Sequence, residues 1–145
     1  MLRLIVIFFF ITVRCAAQDD YFLTLRNDVV NLRQGPSFEY PVKISYKKKY
    51  LPVLIQDQSE NFRKIRDHEN NSGWIHISQL SPKKAAITIY ENTVLFTKPS
   101  IFSKPKVMID KGRLCEIKKC KNEWCKIKTG NFQGWLKKNS LWGRL

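Results

Sequence analysis

Val30-Asn31-Leu32-Arg33-Gln34-Gly35-Pro36 and Gly73-Trp74-Ile75-His76-Ile77-Ser78-Gln79-Leu80 are the two stretches on which the fold turns. In the first, Val30 and Leu32 alternate with Asn31 and Arg33 ahead of Gly35-Pro36, the pattern of a half-buried strand running into a turn. In the second, Gly-Trp opens a short alternating run, and Ser78-Gln79-Leu80 reads as one helical turn. Both stretches have a counterpart downstream, in Val94-Leu95-Phe96-Thr97-Lys98-Pro99 and in Gly134-Trp135-Leu136-Lys137-Lys138-Asn139-Ser140-Leu141. Between them, Asn61 to Arg66 is matched by Glu123 to Lys128. Pro36 and Pro99 stand 63 positions apart, Ile65 and Ile127 62, and Trp74 and Trp135 61. Three landmarks at nearly one offset mark a duplicated module of about 60 residues.

Each module reads as strands. Val29 to Arg33, Val42 to Tyr46 and Phe62 to Arg66 alternate or are rich in β-branched residues, at strand lengths. Gly35-Pro36, Asp67 to Gly73 and Thr129-Gly130-Asn131 supply turn chemistry. Short, evenly spaced strands in so few residues imply small barrels, which remove sheet edges by curling. Ser81-Pro82-Lys83-Lys84-Ala85 reads as a short polar link, so the modules are expected over residues 22–82 and 87–143. A chain of 145 residues has room for two such units and not for a nucleotide-binding domain with a substrate domain.

The leading residues belong to neither module. Met1-Leu2-Arg3, the apolar run Leu4 to Val13 and then Cys15-Ala16-Ala17 give the charged, apolar and small-residue parts of a secretory signal. The apolar run is about half the ~20 residues of a spanning helix. Residues 1–17 are therefore expected to be a signal peptide, with a retained anchor as the alternative, and the product is expected to be periplasmic or secreted.

Export changes how the cysteines read. Cys115, Cys120 and Cys125 remain after the signal, and in an oxidising compartment an even subset pairs. Four residues separate Cys120 from Cys125 between two alternating runs, a spacing that suits a hairpin. Facing residues there stand ~4.5–5.5 Å apart at Cα, within disulfide reach. A Cys120–Cys125 bridge is expected, with Cys115 free. Zinc is the rival, but three thiols with no nearby His make a poor ligand set.

Val30 to Pro36 followed by Tyr40-Pro41-Val42 resembles the opening V-N-(V/L)-R-x-G-P…Y-P-V of bacterial SH3 (SH3b) domains. Gly73 to Leu80 is similar to their closing G-W-(V/I)-x-x-S-x-L. From Thr24 to Gly143 the chain also resembles two-module exported proteins of alphaproteobacteria. In those the second module is degenerate, a Cys pair brackets an aromatic as in Cys120…Trp124-Cys125, and the end is Leu-Trp-Gly, here Leu141-Trp142-Gly143. The second module lacks the Asn-Leu-Arg and Gly-Pro signatures and rests on its closing motif. The resemblance implies an all-β chain of two tandem SH3-like β-barrels with a non-catalytic binding role, directed at cell wall or at peptides.

The residues offer little catalytic machinery. His68 lies in a turn, and His76 falls where an exposed polar strand residue is expected. A Cys115–His pair would have to reach across modules with no orienting third group. Glu60, Asp67 and Glu69 sit in turn-like stretches where solvation accounts for them. No metal-ligand, nucleophile-elbow or phosphate-loop motif occurs, and no cofactor is expected.

Binding candidates remain. Trp74 and Trp135 read either as barrel core or as the floor of a ligand site. Tyr40 and Tyr46, with Tyr50 nearby, fall in or beside the long segment where SH3-like barrels make their groove. Tyr40 packed on Pro41 is the simpler account of that residue. The 26 Lys and Arg against 12 Asp and Glu give a net charge of +14. That charge gathers at Lys47-Lys48-Lys49, Lys83-Lys84, Lys118-Lys119-Lys121 and Lys137-Lys138, all expected in turns or links. Such clusters attract anionic wall polymers or a membrane surface. Nucleic acid is not expected as a partner of an exported chain. The expected function is an exported binding module for peptidoglycan or peptide, with a structural adaptor that docks an envelope protein as the alternative.

Overall fold

The computed structural model describes residues 19–145, so the expected signal peptide at residues 1–17 lies outside the described residues. The first sheet contains β1 (Tyr21–Leu25), β2 (Val30–Arg33), β3 (Val42–Tyr46), β4 (Pro52–Ser59), β5 (Phe62–Arg66), β6 (Ser72–His76) and β7 (Leu80–Ser81). The second contains β8 (Ala85–Thr88), β9 (Thr93–Phe96), β10 (Pro105–Ile109), β11 (Leu114–Lys121), β12 (Trp124–Thr129), β13 (Phe132–Lys137) and β14 (Leu141–Gly143). Strands run β3-β2-β6-β5-β4-β1-β7 in one and β10-β9-β13-β12-β11-β8-β14 in the other. The two orders are the same seven-strand path drawn twice, antiparallel throughout, each curled into an SH3-like barrel. A 3-10 turn, Ile77–Gln79 or Lys138–Ser140, precedes the last strand of each. No helix among the described residues is long and apolar enough to cross a membrane.

Alternation decides which side chains go inside. Val30 and Leu32 of β2, Phe62 and Ile65 of β5 and Ile75 of β6 are buried. Most of them join Leu25, Val53, Ile55 and Leu80 in one apolar cluster. Leu95, Ile109, Cys115, Ile117, Cys125, Ile127, Leu136 and Leu141 form the second. The Gly-Trp motif has a steric cause. A Cβ on Gly73 would stand 2.7 Å from the Arg33 carbonyl oxygen, and one on Gly134 2.6 Å from that of Phe96. Each glycine thus lets β2 or β9 cross β6 or β13 at close range. The crossings are oblique, with a single pair in register at each: Arg33 with Trp74, and Trp135 with Phe96.

Cys120 and Cys125 face each other across β11 and β12, 4.0 Å apart at Cα, and form the expected disulfide. Cys115 is free, and burial pushes its thiol up to about 11 against the opposing pull of Arg113, so it is protonated and inert at neutral pH.

Three sequence expectations change. The link is shorter than it reads, because Ser81 ends β7 and buried Ala85 begins β8. Lys118, Lys119 and Lys121 lie on β11 and Lys137 on β13, where exposed strand faces accept lysine, rather than in turns. Asp67 is 2% exposed rather than solvated. Its carboxylate accepts from the Tyr46 hydroxyl at 2.8 Å, the Asn71 side-chain amide at 3.0 Å, and the backbone N–H groups of Glu69 and Asn71 at 2.9 and 2.8 Å. Burial alone would raise the carboxyl. The bonds from Asn71, Tyr46 and Glu69 outweigh it and hold Asp67 below its ordinary value. Burial, then the bond to Asp67 and its charge, push the Tyr46 phenol far above its own.

The barrels also share packing. Ile87 of β8 belongs to the first apolar cluster, and Leu114 packs on it. The Phe22 and Trp142 rings meet edge-to-face at 4.8 Å. Arg144 donates from Nη1 to the Phe22 carbonyl and from Nε to that of Pro82. Thr24, fully buried, donates to the carbonyls of Ser81 and Lys83.

Two expectations follow from this packing. Ile87→Ala, a substitution in the second sheet, should cost about 3 kcal/mol and leave one cooperative thermal transition, since it opens a cavity in the first core; calorimetry showing two separated transitions would refute the shared core. Tyr46→Phe should cost about 1–2 kcal/mol at neutral pH. Because the folded carboxyl lies below the unfolded value of about 3.9, its contribution is present above that value and is lost as pH falls through the folded one. The Tyr46→Phe deficit should therefore shrink on acidification in denaturant titrations, and a deficit independent of pH would exclude the coupling.

Candidate ligand groove

Three rings from separate parts of the first sheet meet at its surface. Phe62 opens β5, His76 ends β6 directly opposite it in register, and Phe38 comes from the loop joining β2 to β3. Phe38 lies 5.2 Å from Phe62 and 5.0 Å from His76, and the Phe62 and His76 rings are 5.1 Å apart and nearly perpendicular. Phe62 meets both partners edge-to-face, and the Phe38 and His76 rings are tilted by 30°, contacts that hold the three in place. They floor an open depression of about 370 Å³ whose rim carries Pro36, Ser37, Glu39, Glu60 and Asn61.

Hydrogen bonds fix the walls. Arg33 at the end of β2 donates from Nη1 to the carbonyls of Phe38 and Tyr40, at 3.0 and 2.9 Å, and its guanidinium stands 5.3 Å from the Phe38 ring centroid. The Ile77 N–H donates to the Asn61 carbonyl, tying the 3-10 turn to the β4–β5 hairpin. His76 Nδ1 accepts from the Ser78 N–H, so in the neutral ring Nε2 carries the proton. Phe38 remains 60% exposed. The groove therefore presents an aromatic face to solvent between two carboxylates, Glu39 and Glu60. This surface suits stacking against a sugar or an apolar peptide side chain, with a preference for neutral or cationic groups.

The residues singled out from sequence are dispersed around this groove. Tyr40 lies one turn away, its ring across Gly35, and is exposed. Tyr46 spends its hydroxyl on Asp67 and packs against the first core. Trp74 alternates with buried Gly73 and Ile75 and is half-buried on the outer side of β6. Trp135, in the corresponding place, is 8% exposed, with the Lys119 ammonium 5.6 Å from its ring centroid. Lys47, Lys48 and Lys49 are exposed together after β3, and Lys49 and Lys83 flank the Tyr50 ring at 5.1 and 5.5 Å. The lysine run thus sits beside the junction of the two barrels.

His76 is a wall of the groove rather than a solvated strand residue, because the β2–β3 loop folds Phe38 back over it. No local signal in the sequence joins Phe62 to His76. Phe62 stands three positions from core Ile65, whereas His76 directly follows core Ile75, and the two meet only at the open end of the hairpin of β5 and β6. Cys115 is buried in the second cluster with its thiol donating to the Arg113 carbonyl, while both histidines belong to the first module. Among the described residues no group of His, Cys, Asp and Glu could hold a metal ion.

Known proteins give the context. Among solved structures, the chain is similar to NlpC2 from Trichomonas vaginalis, with 13% identity, a TM-score of 0.40, and coverage of 88% of this chain and 49% of that one. For NlpC1 from the same organism the values are 14%, 0.38, 87% and 46%. For an NlpC/P60 family protein from Bacillus cereus ATCC 10987 they are 12%, 0.39, 84% and 56%. The chain spans about half the length of each of these proteins. No curated protein matches it. The bacterial SH3 domain profile matches twice, over residues 26–82 and 90–143, one match on each sheet. The chain belongs to the bacterial SH3 domain family and carries that domain twice.

Proposed function

We propose that the protein is an exported, non-catalytic binding module that takes a cell-wall polymer or its peptide in the groove of Phe38, Phe62 and His76. The observation that carries this reading is the exposed aromatic floor between Glu39 and Glu60, held by Arg33 and by the 3-10 turn. Membership in the bacterial SH3 family supports a wall ligand, and the Cys120–Cys125 disulfide accords with an oxidising compartment. In this reading Tyr40 extends the groove at its loop end. Tyr46 and Trp74 support it from the sheet, and Trp135 holds the corresponding place in the second barrel. Lys47, Lys48 and Lys49 lie outside the groove and concentrate the protein at anionic polymer through long-range attraction.

The two contributions separate by range. Exposed charges are screened beyond a Debye length of about 8–10 Å, whereas stacking in the groove is short-ranged. Sedimentation with purified sacculi should therefore show two kinds of loss. Neutralising Lys47, Lys48 and Lys49 together should weaken binding at low salt and change little at high salt. Phe38→Ala, at an exposed loop position that leaves the fold intact, should weaken binding about tenfold at both. Retention unchanged by either set would remove the wall-binding reading and favour an adaptor that docks an envelope protein through another face. Export has its own check. Fractionation with N-terminal sequencing should find a chain beginning near Gln18 outside the cytoplasm, and an intact Met1 in the soluble cytoplasmic fraction would exclude it.

A further inference from the structure

The loop that closes the groove in the first barrel is built again in the second with the same backbone bonds, each displaced by 63 positions. Gln34 N–H donates to the Pro41 carbonyl, and Thr97 N–H to that of Lys104. Ser37 N–H donates to the Gly35 carbonyl, and Ser100 N–H to that of Lys98. Tyr40 N–H reaches the Ser37 carbonyl, and Ser103 N–H that of Ser100. Glu39 N–H donates to Ser37 Oγ at 3.1 Å, and Phe102 N–H to Ser100 Oγ at 3.2 Å. The two loops therefore correspond residue by residue, and their side chains differ where they meet solvent. Glu39 is replaced by Phe102, Phe38 by Ile101, Gly35 by Lys98 and Pro41 by Lys104.

Phe102 is 92% exposed and Ile101 55%. The first loop shows that this backbone accepts a carboxylate at the Phe102 position, so the fold does not require an apolar residue there. The ring makes no contribution to either apolar cluster. The loop under it is stiff, because Ser103 Oγ donates to the carbonyls of Ser100 and Lys98, at 2.7 and 3.0 Å. Lys98 and Lys104 flank the loop base, where the Lys104 carbonyl accepts from the Thr97 N–H and the Lys98 carbonyl from Ser103 Oγ, and both are exposed. From Thr93 to Ile109 the chain contains no Asp or Glu.

An apolar tip above a pair of free ammonium groups, with acid excluded from the surrounding chain, matches the surface of an anionic bilayer. The tip enters the acyl boundary while the lysines lie at phosphate level. We propose that the 97–104 loop is a membrane-docking wedge, with Ile101 and Phe102 inserting into an anionic phospholipid leaflet and Lys98 and Lys104 pairing with its headgroups. The second barrel then holds the protein at the membrane. The first is left free for its ligand, and the shared core between them transmits the placement.

Flotation of the full chain with phosphatidylglycerol or phosphatidylcholine vesicles tests the charge. The protein should prefer phosphatidylglycerol, and Lys98→Ala with Lys104→Ala should lower that binding about twenty-five-fold, taking about fivefold per lysine, while leaving phosphatidylcholine binding unchanged. Phe102→Glu, which restores the residue of the first loop, should lower it about tenfold. A Phe102→Trp variant in vesicles with brominated acyl chains reads the tip itself, whatever else in the chain touches the membrane. Its fluorescence should be quenched beyond that of the wild-type protein. Quenching no greater than wild type, equal binding to the two lipids, or phosphatidylglycerol binding by Phe102→Glu equal to wild type would each overturn the proposal.

Discussion

Each barrel depends on one close crossing. β2 lies against β6, and β9 against β13, at a separation that leaves no space for a Cβ on Gly73 or Gly134. The crossing turns a flat run of hairpins into a curled sheet. It brings Leu32 and Leu95 onto their cores and aims the β2–β3 loop over the sheet face. Arg33, paired with Trp74 at the crossing point, is placed to clamp the carbonyls of Phe38 and Tyr40. The groove is thus a direct consequence of the crossing, because a larger residue at Gly73 would lift β2 and the loop it carries.

The junction between the barrels is a second consequence of compact building. Each unit is too small to bury much apolar surface alone, and the chain meets this by lending Ile87 to the first core. It then closes the seam with Phe22, Trp142 and Arg144. A pair of domains joined in this way holds a fixed relative placement. That placement matters for the two binding surfaces proposed on different barrels.

Duplication has also allowed the same loop to diverge. One copy folds a phenylalanine onto two rings and bears a glutamate outward, and the other turns its phenylalanine outward between lysines. Since the backbone bonds of the two loops correspond, the difference lies wholly in side chains. It changes what each barrel meets without changing how either folds.

Much of this was legible in the sequence. Strand alternation, the offset between Pro36 and Pro99, and the Gly-Trp pairs specify two copies of one all-β unit, because period and spacing are local properties of the chain. The Cys120–Cys125 hairpin was legible for the same reason. The groove was not. Phe38, Phe62 and His76 become neighbours only when the β2–β3 loop bends over the sheet, and nothing in the local pattern of any of the three announces the other two. Tyr46 and Asp67 show the converse. Each looked like a surface residue in its own segment, and their pairing across 21 positions goes with a buried Asp67 and a half-buried Tyr46. The sequence alone determined the repeat, the strand content and the basic character of the chain. The tertiary structure decided which aromatic residues are walls, which carboxylate is buried and which loop faces outward, because those properties arise from contacts between segments that the chain brings together only on folding.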